Sequence, residues 1–66
     1  MRATINGEER EVAEGLTVDG LLDFLGVGRE GIAIAVNELV VARAAYNQEC
    51  LRDGDAVEII KAVAGG

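Results

Sequence analysis

Thr17-Val18-Asp19-Gly20-Leu21-Leu22-Asp23-Phe24-Leu25 decides the reading of this chain. Val18, Leu21, Leu22 and Leu25 fall at i, i+3, i+4 and i+7, the spacing that puts apolar side chains on one face of an α-helix. Thr17 is a helix N-cap, because its hydroxyl can accept from a backbone N–H of the first turn. Asp19 in that turn complements the helix dipole. Gly26 and Gly28 follow and are expected to end the helix with positive φ. Gly20 lowers helix propensity by roughly 1 kcal/mol relative to alanine. A helix this short needs other elements to hold it.

Those elements flank it. Met1 to Ile5 reads as a strand, with Met1, Ala3 and Ile5 toward one face. Asn6-Gly7 suits a type I′ hairpin turn, where both central residues need positive φ. Glu8 to Val12 is the returning strand, largely polar as befits a solvated edge. Beyond the helix, Ile32 to Val36 is a β-favouring run. Asn37-Glu38 is a second tight turn, leading into Leu39 to Val41. Ala42 to Leu51 is expected to be irregular or briefly helical, and Asp53-Gly54-Asp55 a turn. Ala56 to Val63 is the last strand, and 64–66 a flexible tail.

Two strands, a helix and three strands predict one α+β domain over 1–66. Its mixed sheet of about five strands carries one main helix on one face. Ile5, Ile32, Ile34, Val57 and Ile59 point at the helix. Ala33, Ala35, Glu58, Ile60 and Ala62 point away. Small apolar groups around an exposed isoleucine make a flat patch, and Ala33, Ala35, Ile60 and Ala62 are the candidate partner-binding residues. The plainer reading is a set of scattered surface alanines.

Composition narrows the function. With 66 residues the chain has one small core, and with only Phe24 and Tyr46 aromatic, Val, Ile and Leu must build it. Six basic residues stand against 12 acidic, a net charge of −6. Nucleic acid and anionic membranes are poor partners for such a chain, whereas a basic protein surface attracts it. There is no histidine and one cysteine, Cys50. One chain therefore supplies no Cys–His pair, Ser–His–Asp triad, zinc cluster or intrachain disulfide. Cys50 reads as a small buried or half-buried loop residue, since no CxxC or histidine activates it. Asp53-Gly54-Asp55 lacks the remaining ligands of a calcium loop. No signal peptide or membrane-spanning apolar run is seen, so a cytoplasmic location is the expectation.

The chemistry is left to Ala64-Gly65-Gly66. Two glycines add nothing to a core. They do make a thin arm that fits a narrow channel where a Cβ would clash. The carboxylate at its tip, with a reference pKa of about 3.5, is ionised near neutral pH. Attack on the α-phosphate of ATP makes it an acyl-adenylate, and a sulfur nucleophile can then displace AMP. A frayed Gly-Gly end is the competing reading.

Several pieces carry a resemblance along nearly the whole chain. They are Ile5-Asn6-Gly7, Gly15-Leu16-Thr17-Val18 with Leu21-Leu22, Ala35-Val36-Asn37, and Val40-Val41-Ala42-Arg43. The closing pieces are Asp53-Gly54-Asp55, Val57-Glu58-Ile59-Ile60 and Ala62-Val63-Ala64-Gly65-Gly66. In order and spacing the chain resembles the ThiS family, the ubiquitin-like sulfur carriers of thiamin thiazole biosynthesis. The resemblance implies a β-grasp fold and a protein co-substrate, not an enzyme. It implies that a ThiF-like adenylyltransferase activates Gly66 with ATP and Mg²⁺, while the chain itself binds no cofactor. Sulfur from cysteine, through a cysteine desulfurase or another sulfur donor, makes the thiocarboxylate. A ThiG-like thiazole synthase takes it. Gly66 is then the acceptor and Gly65 its slim neighbour. Relatives often have proline where Ala42 stands and tryptophan near Tyr46, a departure that touches loop rigidity. Molybdopterin-type carriers and ubiquitin-like modifiers share the fold and tail. A non-covalent binding module that uses only its sheet face is the alternative of a different class.

Overall fold

The computed structural model describes residues 1–61. The elements are β1 (Arg2–Ile5), β2 (Glu8–Glu11), α1 (Val18–Leu25), β3 (Ile32–Val36), β4 (Leu39–Val41), a 3₁₀ turn (Arg43–Ala45) and β5 (Ala56–Lys61). The strands form one sheet in the order β2-β1-β5-β3-β4. β1 and β5 run parallel, and the other neighbours antiparallel. β5 therefore lies in the middle of the sheet although it comes last in the chain. This is the expected β-grasp arrangement, with α1 on one face.

The turns form for the anticipated reasons. Asn6 (φ 51°) and Gly7 (φ 81°) both occupy the left-handed region, as a two-residue hairpin requires. Asn37 (φ 50°) and Glu38 (φ 70°) do the same between β3 and β4. Thr17 caps α1, its hydroxyl accepting from Gly20 N–H at 3.0 Å. The preceding N–H groups of Val18 and Asp19 donate to the carbonyls of Glu49 and Tyr46. The irregular segment before β5 thus satisfies helix donors that would otherwise be orphaned. At the other end Gly26 is left-handed at φ 71°. Gly26 N–H donates to Asp23 C=O and Val27 N–H to Leu22 C=O, the paired bonds of a Schellman ending. Gly26 alone ends the helix; Gly28 is not among the positive-φ glycines.

Gly20 has a packing reason to lack a side chain. A Cβ there would sit 2.8 Å from Leu16 Cδ1.

The core is Ala3, Ile5, Val12, Val18, Leu21, Leu22, Ile34, Val36, Tyr46, Leu51 and Val57, with Ile32, Ile59 and Leu25 packed against it. The inward set read from the sequence is confirmed. Tyr46 and Leu51 join it from the irregular segment, which closes the core beside the helix start. No buried side-chain polar atom among the described residues lacks a partner. Among the described residues no helix is long and apolar enough to cross a membrane.

Candidate functional site

The site is built on β5 and the strands beside it. Strand residues alternate between faces, so the register fixes who shares the surface away from α1. Ala33 faces Ile60 and Ala35 faces Glu58 across β3 and β5. Ala35 also faces Val40 across β3 and β4. Ala33, Ala35, Val40 and Ile60 therefore lie on one face, with Glu58 between them. Ile60 is 52% exposed and Val40 78%, while Ala35, hemmed in by its neighbours, is 9% exposed. The exposed apolar surface is thus supplied by Ile60 and Val40, over a floor of alanine.

Of the sequence-derived site residues, Ala33, Ala35 and Ile60 are brought together as expected. Ala62, Gly65 and Gly66 lie outside the described residues, as does the last part of the expected Ala56–Val63 strand. Val40 was missed, and its signal was available. A two-residue turn at Asn37-Glu38 forces Val36 opposite Leu39 and hence Ala35 opposite Val40.

The charged side chains elsewhere form ion pairs and an acidic edge. On the far edge, Glu8, Glu9 and Glu11 of β2 are exposed, with Arg2 bonded to Glu9 at 2.9 Å. Arg29 ties the segment after α1 to the helix through Asp23, Asp19 and the Asp19 carbonyl. Hydrogen bonds that Arg29 donates to the Asp23 and then the Asp19 carboxylate hold its proton more tightly than in a free arginine. Among the described residues no group of His, Cys, Asp and Glu is placed to hold a metal ion.

Cys50 overturns an expectation. It is exposed, not buried or half-buried. Its backbone forms an isolated bridge to Thr17, and the neighbouring Leu51 takes the inward position at 2% exposure. The pattern Cys50-Leu51 offered two apolar candidates for one inward slot, and the larger one fills it.

β5 is fastened at its first residue, Ala56, and again at Ile59 by asparagine side chains. Asn37 Oδ1 accepts from Ala56 N–H at 3.0 Å, and its amide nitrogen donates to Asp55 at 2.9 Å. Asn6 Oδ1 accepts from Ile59 N–H at 2.8 Å, and its amide nitrogen makes a longer contact of 3.4 Å to Ile59 C=O. Both asparagines also hold the left-handed turn positions.

Comparison with known proteins agrees with this architecture. The ThiS family matches residues 3–66. A thiazole synthase of Paramagnetospirillum magneticum is 39% identical over the whole chain, which spans about one fifth (20%) of that relative's length. The sulfur carrier protein ThiS of Escherichia coli K12 is 33% identical, with both chains covered completely. The crystal structure of the thiamine biosynthesis protein ThiS from Geobacter metallireducens superposes with a TM-score of 0.88 at 38% identity, again covering both chains in full. A match that runs through strands, turns, helix and terminal glycines, in a fold shared from end to end, leaves one conclusion: the chain belongs to the ThiS family.

Proposed function

We propose that this chain is a sulfur carrier of thiamin biosynthesis, a protein co-substrate that works through the carboxylate of Gly66. The observation that carries the reading is the position of β5. The strand that leads toward Gly65-Gly66 is central, paired on both sides, and bears the exposed Ile60 beside Ala33. A rigid body with an apolar handle thus adjoins the stretch that must enter a partner's active site.

The chemistry follows from the carboxylate. One of its oxygens attacks the α-phosphorus of ATP in an adenylyltransferase, with Mg²⁺ held by that enzyme, and pyrophosphate leaves. The acyl-adenylate is an electrophile. The terminal sulfur of a persulfide, loaded on the donor by a cysteine desulfurase, adds to the acyl carbon and AMP departs, leaving an acyl disulfide. A thiol then attacks the donor-side sulfur of that S–S bond, which releases the thiocarboxylate and leaves the thiol and the donor joined as a disulfide. That sulfur is then delivered to a thiazole synthase. Support for this last partner is that proteins named thiazole synthase contain a region matching the whole of this chain. A cytoplasmic setting, the expectation from the sequence, provides the ATP that such a cycle consumes. The surface of Ala33, Ala35, Ile60 and Val40, with Ala62 as the further candidate from the sequence, docks the partners. The net charge of −6 favours a basic rim around their apolar contact.

The test is carrier-dependent exchange of pyrophosphate into ATP by a ThiF-like enzyme. Deleting Gly66 should abolish it, and Ile60→Asp should raise the KM for the carrier. Exchange that survives loss of Gly66 would reject the reading. It would favour a non-covalent module. Capture of a molybdopterin synthase subunit in place of a thiazole synthase would reassign the pathway.

A further inference from the structure

We propose that Asn6 is a positioning residue that splints β5 at Ile59 and thereby fixes the strand that carries the reactive Gly66. The proposal rests on the carrier reading above and adds a residue to it. β1 runs parallel to β5 only as far as Ile5, opposite Val57. In that ladder Thr4 N–H donates to Asp55 C=O and Asn6 N–H to Val57 C=O. The next rung needs a β1-side acceptor for Ile59 N–H, then a donor for Ile59 C=O. The main chain cannot supply them, because Asn6 is left-handed at φ 51° and turns β1 back into β2.

The side chain of Asn6 supplies both. A carboxamide carries the same acceptor and donor as a peptide group. Its oxygen takes Ile59 N–H at 2.8 Å, and its nitrogen lies 3.4 Å from Ile59 C=O. The short bond is the stronger of the two. Asn6 therefore acts as one extra residue of β1, added sideways, and keeps Ile59 paired after the real strand has turned away. On the opposite edge β3 remains paired with β5 as far as Lys61. Without the amide, Ile59 to Lys61 would be held from one side only. An arm rooted in a fraying strand end samples more directions, and fewer of them reach a partner's active site.

The docking surface lies elsewhere. Ala33, Val40 and Ile60 project from the sheet face, whereas the Asn6 amide bonds in the plane of the sheet, where β1 ends beside β5. Asn6 should thus affect delivery more than docking. Asn6→Gly separates the two roles of the residue, because glycine keeps the positive φ of the turn and removes only the amide. Asn6→Asp keeps the short acceptor bond and loses the donor.

Three measurements on full-length protein decide the matter: thermal unfolding, amide exchange at Ile59, and steady-state adenylation by a ThiF-like enzyme. For Asn6→Gly the expected result is a folded protein with at least about tenfold faster exchange at Ile59. kcat should fall about tenfold with KM for the carrier within about twofold, and Asn6→Asp should recover most of kcat. Unchanged kcat, or a rise confined to KM, would overturn the proposal, as would unchanged exchange at Ile59. If wild-type carrier itself is not adenylated, the carrier reading fails, and Asn6 has no arm to position.

Discussion

Both faces of the sheet carry branched apolar side chains, and they differ in what covers them. On the face toward α1, Ile34 is completely buried and Val57 is 1% exposed. On the other face, Ile60 and Val40 stand 52% and 78% exposed, with no element of the described residues laid over them. The apolar chemistry is the same, and only the cover differs. The buried face supplies the stability of a small domain. The open face leaves Ile60 and Val40 uncovered beside Ala33 and Glu58, an apolar patch of the kind that often marks an interaction surface.

This contrast can be broken at four places. The largest effect is expected inside. Ile34→Ala removes a fully buried side chain and should cost about 2–5 kcal/mol. A domain of this size has roughly 3–5 kcal/mol to lose, so denaturant titration should show a substantial unfolded fraction in water. Ile60→Ser, one face over, should change stability by no more than about 0.5 kcal/mol. It should weaken docking to the adenylating enzyme by about 1–2 kcal/mol, read as a KM roughly tenfold higher. A loss of stability instead would make Ile60 a core residue and erase the difference between the faces.

Thr17→Ala sharpens the account of how the buried face is assembled. Removing the cap that accepts from Gly20 N–H should cost about 1 kcal/mol in thermal or chemical unfolding. The smallest effect belongs to Cys50. Because it is exposed, Cys50→Ser should leave stability within about 0.5 kcal/mol of wild type. The native thiol should react with an alkylating reagent about as fast as in unfolded protein.

Much of the fold was legible in the sequence because its signals are local. The stripe from Val18 to Leu25, the Thr17 cap and the two turns each follow from residues within one short window. The inward set on β3 and β5 follows from alternation alone. What escaped depends on relations between windows. Tyr46 lies in an irregular segment with no periodicity, so its burial appears only when the segment folds against the helix start. Val40 required the turn register to be carried into β4. Cys50 and Leu51 competed for one position that pattern does not resolve. Gly20 looked like a defect until its distance to Leu16 was known. Asn6 was read correctly as a turn residue, but its grip on Ile59, 53 positions away, has no sequence signature.

The most direct test of the central claim is the intact mass of this protein after incubation with ATP, Mg²⁺, a ThiF-like enzyme and a sulfur donor. The account predicts a mass gain equal to replacement of one oxygen by sulfur, localised by fragmentation to Gly66. An unchanged mass, with the same enzyme shown to activate another ThiS carrier in parallel, or sulfur found on Cys50 instead, would contradict it.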